Sequence, residues 1–115
     1  MSQVGKPFDE FCSSGDEFIT LCDSLSHPIR IKILGILHQN RQYVSELARM
    51  VNISRPLLYL HLRKLEQANL VKGNHEISVD GKAMKYYEVL NFDISINPDV
   101  LFELSKSVTI KNNET

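Results

Sequence analysis

The chain has 115 residues, 43% of them hydrophobic and 23% charged, with a net charge of −1. That length supports one domain with a small core burying roughly 65% of the unfolded surface, so a second copy covering leftover apolar surface is expected to add stability. No apolar run approaches the roughly 18 residues of a membrane span, and Met1 to Phe11 is polar and acidic where a secretory leader would be basic and then apolar, so a soluble, cytoplasmic protein is expected.

The charge is segregated along the chain. Residues 1–26 carry −4, residues 27–90 carry +5 and residues 91–115 carry −2. A basic middle between acidic flanks suggests a polyanion-binding surface, although an excess this mild also fits a solvated face. Two cysteines, Cys12 and Cys22, are too few for a disulfide scaffold and fit a reducing compartment.

Ser14 with Glu17 has the form of a capping box, and Phe18, Leu21, Cys22 and Leu25 follow at helical spacing to give a first helix. Pro28 suits a first helical position, with Ser26 or His27 as cap; Ile29, Ile33, Ile36 and Leu37 then mark the stripe of a second helix that ends at Asn40 and Arg41. A short third helix covers Val44 to Val51, and Asn52 stands where the chain turns in a left-handed conformation. Ser54 caps a fourth helix with Pro56 in its first turn and Leu58, Leu62 and Leu65 inward, closed by Asn69. From Leu70 to Val79 and from Lys82 to Leu90 the period changes to two, with Asp80-Gly81 between as a hairpin signal. Asn97-Pro98 opens a last helix, residues 97–110, carrying Val100, Leu101, Leu104 and Val108 on one side; residues 111–115 form a frayed tail. The fold expected is mostly α with a β-hairpin, in the order α-α-α-α-β-β-α: a winged helix-turn-helix.

At this point the residues resemble the ArsR-type winged-helix repressors of bacteria and archaea. The stretch from Ser45 to Val71 is similar without gaps to that family's helix-turn-helix, and Leu25 to Arg30 and Lys85 to Val89 resemble its second-helix entry and outgoing wing strand. Asn52 and Asn69 depart from the usual Gly while keeping the left-handed option.

The resemblance implies a homodimeric, sequence-specific DNA-binding regulator, a repressor, acting on a pseudo-palindromic operator in double-stranded DNA, with no cofactor. The dimer is expected through residues 1–26 and 97–110, with Phe18, Leu21, Cys22, Leu25, Val100, Leu101, Leu104 and Val108 at the interface. Residues 27–90 form the DNA-binding core, with a wing at 70–90. A helical wheel turns Leu58, Leu62 and Leu65 inward and Pro56, Leu60 and Arg63 outward, with Tyr59 and Lys64 flanking. Ser54, Arg55, Pro56, Leu57, Tyr59, Leu60, Arg63 and Lys64 are therefore the DNA-facing candidates. Arg63 suits a guanine edge, Arg55 and Lys64 phosphates, and Leu60 a thymine methyl, although Leu57 and Leu60 at the stripe's edge also fit plain packing. Lys82 and Lys85, taken to lie near the wing tip, are expected at the DNA because the resemblance implies it.

Many members of the family it resembles sense metals through Cys-x-Cys on the third helix or through His and carboxylates on the last. Here Ala48, Arg49 and Met50 stand at the first site and the last helix has no His, so no metal is expected. His27, His38, His61 and His75 fall on different elements, and His61 reads as a half-buried helix residue. Cys12 and Cys22 leave a thiol-based redox regulator as one alternative, against their simpler reading as small buried hydrophobes. A protein-interaction module that has lost DNA binding is the other. No catalytic signature is present.

Overall fold

The computed structural model describes residues 14–111; Cys12 and residues 112–115 of the expected tail lie outside the described residues. The elements are α1 Gly15–Leu25, α2 Pro28–Gln39, β1 Gln42–Tyr43, α3 Val44–Val51, α4 Arg55–Gln67, β2 Val71–Ile77, β3 Ala83–Val89 and α5 Pro98–Ser105. The expected order is present with one addition, β1. It pairs antiparallel with β3, Gln42 opposite Tyr87 and Tyr43 opposite Tyr86, making a sheet of order β1-β3-β2. Two residues are too short to leave a period-two pattern in the sequence.

The helix starts follow local chemistry. The Ser14 hydroxyl accepts from the Glu17 N–H at 3.2 Å, His27 caps α2 through its ring, and the Asn97 side chain accepts from the Val100 N–H at 2.9 Å. Each fills a donor that the first helical turn leaves unpaired.

The described residues divide into two compact units, Ser24–Asn91 and the pair of terminal segments, residues 14–23 with 92–111. In the first unit α2, α3 and α4 pack on one another and on β2 and β3. Ile33, Leu47, Leu58, Leu62, Leu65 and Leu70 are each 0% exposed. Burying such a side chain is worth about 1.5–3 kcal/mol, which makes this leucine-rich layer the main source of the unit's stability. On the hairpin, the face that carries buried Val71 and Tyr87 continues outward as exposed His75, Ile77 and Ala83.

The hairpin loop is longer than the Asp-Gly pair suggested. Ser78 and Lys82 close it through the Ser78 N–H and the Lys82 carbonyl at 2.8 Å, leaving Val79, Asp80 and Gly81 as a three-residue loop. Gly81 alone of these is left-handed, at φ +86°, as a type I turn followed by a bulge requires.

In the terminal unit the Gly15 N–H donates to the Ser107 hydroxyl at 2.7 Å and the Thr109 N–H to the Asp16 carboxylate at 2.9 Å. These bonds explain a second departure: α5 stops at Ser105 instead of running to residue 110. Ser107 and Thr109 partner the start of α1, and Val108 lies beyond the helix. Gly15 is required here, because a Cβ at that position would collide with the Leu104 carbonyl.

Candidate nucleic-acid interface

The turn between α3 and α4 is fixed at both ends. Asn52 takes the left-handed conformation at φ 59°, ψ 50°. The Asn52 N–H donates to the Arg49 carbonyl at 3.2 Å and the Ile53 N–H to the Ala48 carbonyl at 3.1 Å. This double closure is a Schellman motif. Ser54 then starts α4, its hydroxyl accepting from the Leu57 N–H at 3.3 Å. Asn69 repeats the device after α4, at φ 61°, with Asn69 to Glu66 at 2.9 Å and Leu70 to Leu65 at 3.0 Å.

Helix α4 is thereby held with Leu58, His61, Leu62 and Leu65 inward. Ser54, Arg55, Pro56, Arg63 and Lys64 are exposed, Tyr59 is half-buried, and Leu57 and Leu60 are 40% and 54% exposed. The two leucines thus stand on the surface instead of in the core. Leu57 and Lys64 lie on one flank of the outward face, Arg55 and Tyr59 on the other.

On the Tyr59 flank, a groove of about 270 Å³ is bounded by Tyr43, Ser45, Arg55, Tyr59 and Lys85 among others. It includes the start of α3, which has no side-chain cap, and unpaired helix N–H groups suit an anion. Lys82 is exposed at the wing tip, as expected. Lys85 is not near the tip: it is half-buried, its ammonium 5.2 Å from the Tyr87 ring and 5.9 Å from that of Tyr59. The side-chain bond to Tyr87 holds the Lys85 ammonium above its ordinary pKa, so the cation persists in this setting. Gly73, opposite Tyr87, makes the arrangement possible, since a Cβ there would come within 2.9 Å of the Tyr87 ring and 3.0 Å of the Lys85 stem. The wing's carboxylates are engaged: Glu76 accepts from the Tyr43 hydroxyl and lies 3.6 Å from Arg41, while Glu88 accepts from Asn74 at 2.9 Å.

On the Leu57 flank lies a feature the sequence did not reveal. His61 is not half-buried but only 7% exposed. Its Nδ1 accepts from the Arg30 Nε–H at 3.1 Å, and Arg30 also donates to the Ser24 carbonyl at 3.3 Å. The His27 ring lies 4.5 Å from the His61 ring, centre to centre. Burial first, then the neighbouring His27 ring and the Arg30 guanidinium, push the His61 pKa down, so this ring is a neutral acceptor.

The residues expected at a dimer interface are spread over three environments. Leu21 and Leu104 are buried within the chain, Phe18, Leu25, Val100 and Val108 are half-buried, and Cys22 and Leu101 are exposed. Ile19 and Phe102, which sequence reasoning missed, are 51% and 62% exposed. Exposed Cys22 is thus not the small buried hydrophobe expected from sequence, and the desolvation its neighbours impose pushes its thiol up, away from the thiolate a redox site needs. No group of three or more potential metal ligands gathers among the described residues, and none of their helices is long and apolar enough to cross a membrane.

Comparison with known proteins bears on this arrangement. The family model for bacterial regulatory proteins of the arsR family matches residues 27–72. An uncharacterized helix-turn-helix-type transcriptional regulator of Methanocaldococcus jannaschii is 36% identical over 89 residues, which cover 76% of this chain and 92% of that protein. Among solved structures, a homodimeric winged helix-turn-helix DNA-binding domain from Mycobacterium bovis has a TM-score of 0.57 at 22% identity, over 79% of this chain and 76% of that one. The transcriptional repressor BigR from Xylella fastidiosa has a TM-score of 0.54 at 25% identity, over 65% of this chain and 69% of that one. With its helix-turn-helix matched by sequence and its winged architecture matched by structure, the chain belongs to the ArsR family of transcriptional regulators.

Proposed function

We propose that the protein is a cytoplasmic, homodimeric repressor that reads a pseudo-palindromic operator with the outward face of α4 in the major groove. The observation that carries this reading is the exposure of Arg55, Leu60 and Arg63 together on one side of a helix whose opposite side is fixed in the core. Arg63 takes a guanine edge, Leu60 a thymine methyl, and Pro56 allows close approach at the helix start. Arg55, Tyr59 and Lys85 receive a phosphate in the groove at the start of α3, Lys64 binds a phosphate on the other flank, and Lys82 reaches the backbone from the wing tip. Ser54 orients the helix start. Support for the dimer comes from the homodimeric M. bovis domain and from Ile19, Leu101 and Phe102, exposed apolar side chains on the terminal helices.

Gel-shift titration against the DNA upstream of its own gene, with a salt series, tests the reading. Binding that is sequence-selective and weakens steeply with salt is expected. Sedimentation should give a dimer that Phe102→Asp weakens; the variant targets an exposed residue and so spares the core, which Leu104→Asp would not. A second reading, a protein-interaction module, is favoured by the exposure of Leu57 and Leu60, and selective DNA binding would eliminate it.

A further inference from the structure

The flank of α4 that carries Leu57 borders an open cleft of about 440 Å³, formed with the start of α2. Its lining combines Leu57 and Leu60 with His27, His61, Arg63 and Lys64, and includes Arg30 but no carboxylate among the described residues. The imidazoles are donors toward any ligand. His27 Nδ1 accepts from the Ile29 N–H at 3.1 Å, and His61 Nδ1 accepts from Arg30, so in each neutral ring the proton sits on Nε2. A ring in that tautomer has no Nε2 lone pair for a metal, but it offers an N–H to an anion. Two exposed leucines beside several donors therefore match a ligand that has one anionic end and one apolar end.

We propose that this cleft binds a small organic anion with an apolar tail, a carboxylate of medium chain length. His27, His61, Arg63 and Lys64 receive the carboxylate, while Leu57 and Leu60 cover the tail. Because Leu60, Arg63 and Lys64 also belong to the DNA-reading face, occupancy excludes DNA. This consequence rests on the DNA-binding reading above; the ligand site itself does not.

The test is an NMR titration of the full chain without DNA, following leucine methyl groups and imidazole nitrogens, with octanoate, octanamide and inorganic phosphate as probes. Octanoate is expected to shift Leu57, Leu60 and His61 together and saturably, with a Kd of about 1 mM or tighter, and Lys64→Gln to weaken it at least about threefold. Octanamide and phosphate are expected to leave those signals in place. Leu60→Asn, a surface change, should also weaken octanoate while the spectrum of the core is retained. Absence of saturable shifts up to about 20 mM octanoate would overturn the site. So would octanamide binding as well as octanoate, which would mark a purely apolar groove, or phosphate binding as well as octanoate, which would mark a plain phosphate contact. A separate anisotropy measurement on operator DNA, expecting release by octanoate but not octanamide, distinguishes the two ideas. Octanoate binding to a protein that never binds DNA would keep the site and reject the DNA reading, DNA binding by a protein whose leucine methyl signals octanoate leaves in place would do the reverse, and octanoate that binds without releasing DNA would overturn the exclusion.

Discussion

The Nε–H of Arg30 on α2 is hydrogen-bonded at 3.1 Å to Nδ1 of His61 on α4, linking the two helices across 31 positions of sequence. The bond exists only while the ring is neutral, because a protonated Nδ1 would set one donor against another. His61 in the folded chain has a pKa below its ordinary value of 6.5. The unfolded state therefore binds more protons near that pH, and stability falls as pH drops below about 6.5 toward the folded value. Melting curves from pH 7.5 to 5.5 should show a falling Tm whose slope is smaller in His61→Gln, whose amide oxygen still accepts from Arg30 without titrating. Equal slopes would remove His61 from the account.

The left-handed asparagines predict a distinctive ordering of variants. Asn52→Gly should match or exceed the parent in urea stability, whereas Asn52→Ala should lose about 1 kcal/mol, the cost of a Cβ in that conformation. The same order is expected at Asn69. An alanine as stable as the glycine at either site would show that the helix ends elsewhere in solution.

Gly73→Ala tests the seat of Lys85. The added carbon meets Tyr87, which is 1% exposed and has little room to yield. A loss of about 1–3 kcal/mol in stability is expected, together with weaker DNA binding as Lys85 is displaced. Lys85→Gln should reproduce the weaker binding with stability little changed, which separates the two effects.

Arg63 and Lys64 should differ in kind. Arg63→Ala is expected to cost about 1–3 kcal/mol on the operator and to blur preference at one base pair. Lys64→Ala should weaken all DNA sequences alike and lower the salt slope by about one unit. Equal losses on operator and random DNA for both variants would leave α4 positioned by phosphates alone.

What the sequence made legible was local. Ser14, Ser54 and Asn97 announce helix starts because a capping side chain acts within three residues, and the outward face of α4 follows from spacing around Leu58, Leu62 and Leu65. What it hid was set by partners distant in the chain. The early end of α5 depends on Gly15 and Asp16, the inward position of Lys85 on Gly73 across the ladder, and the burial of His61 on Arg30. None of these pairings leaves a periodic trace. Val79 entered the hairpin loop for a related reason: Asp80-Gly81 fits a two-residue turn and a three-residue loop equally well, and only the backbone angle of Asp80 distinguishes them.

The pairing of Gly15 with Ser107 and of Asp16 with Thr109 makes the segment between residues 15 and 109 almost a ring. A few glycine and serine residues would suffice to join the region of Thr109 to that of Ser14, and the polypeptide could then be opened at the solvent-exposed Val79 instead. Such a rearranged chain would retain every helix and strand of the described residues while turning the wing tip into its two free ends. Labels or fused domains could then be attached beside Lys82, bringing a reporter to the edge of the proposed DNA-reading face.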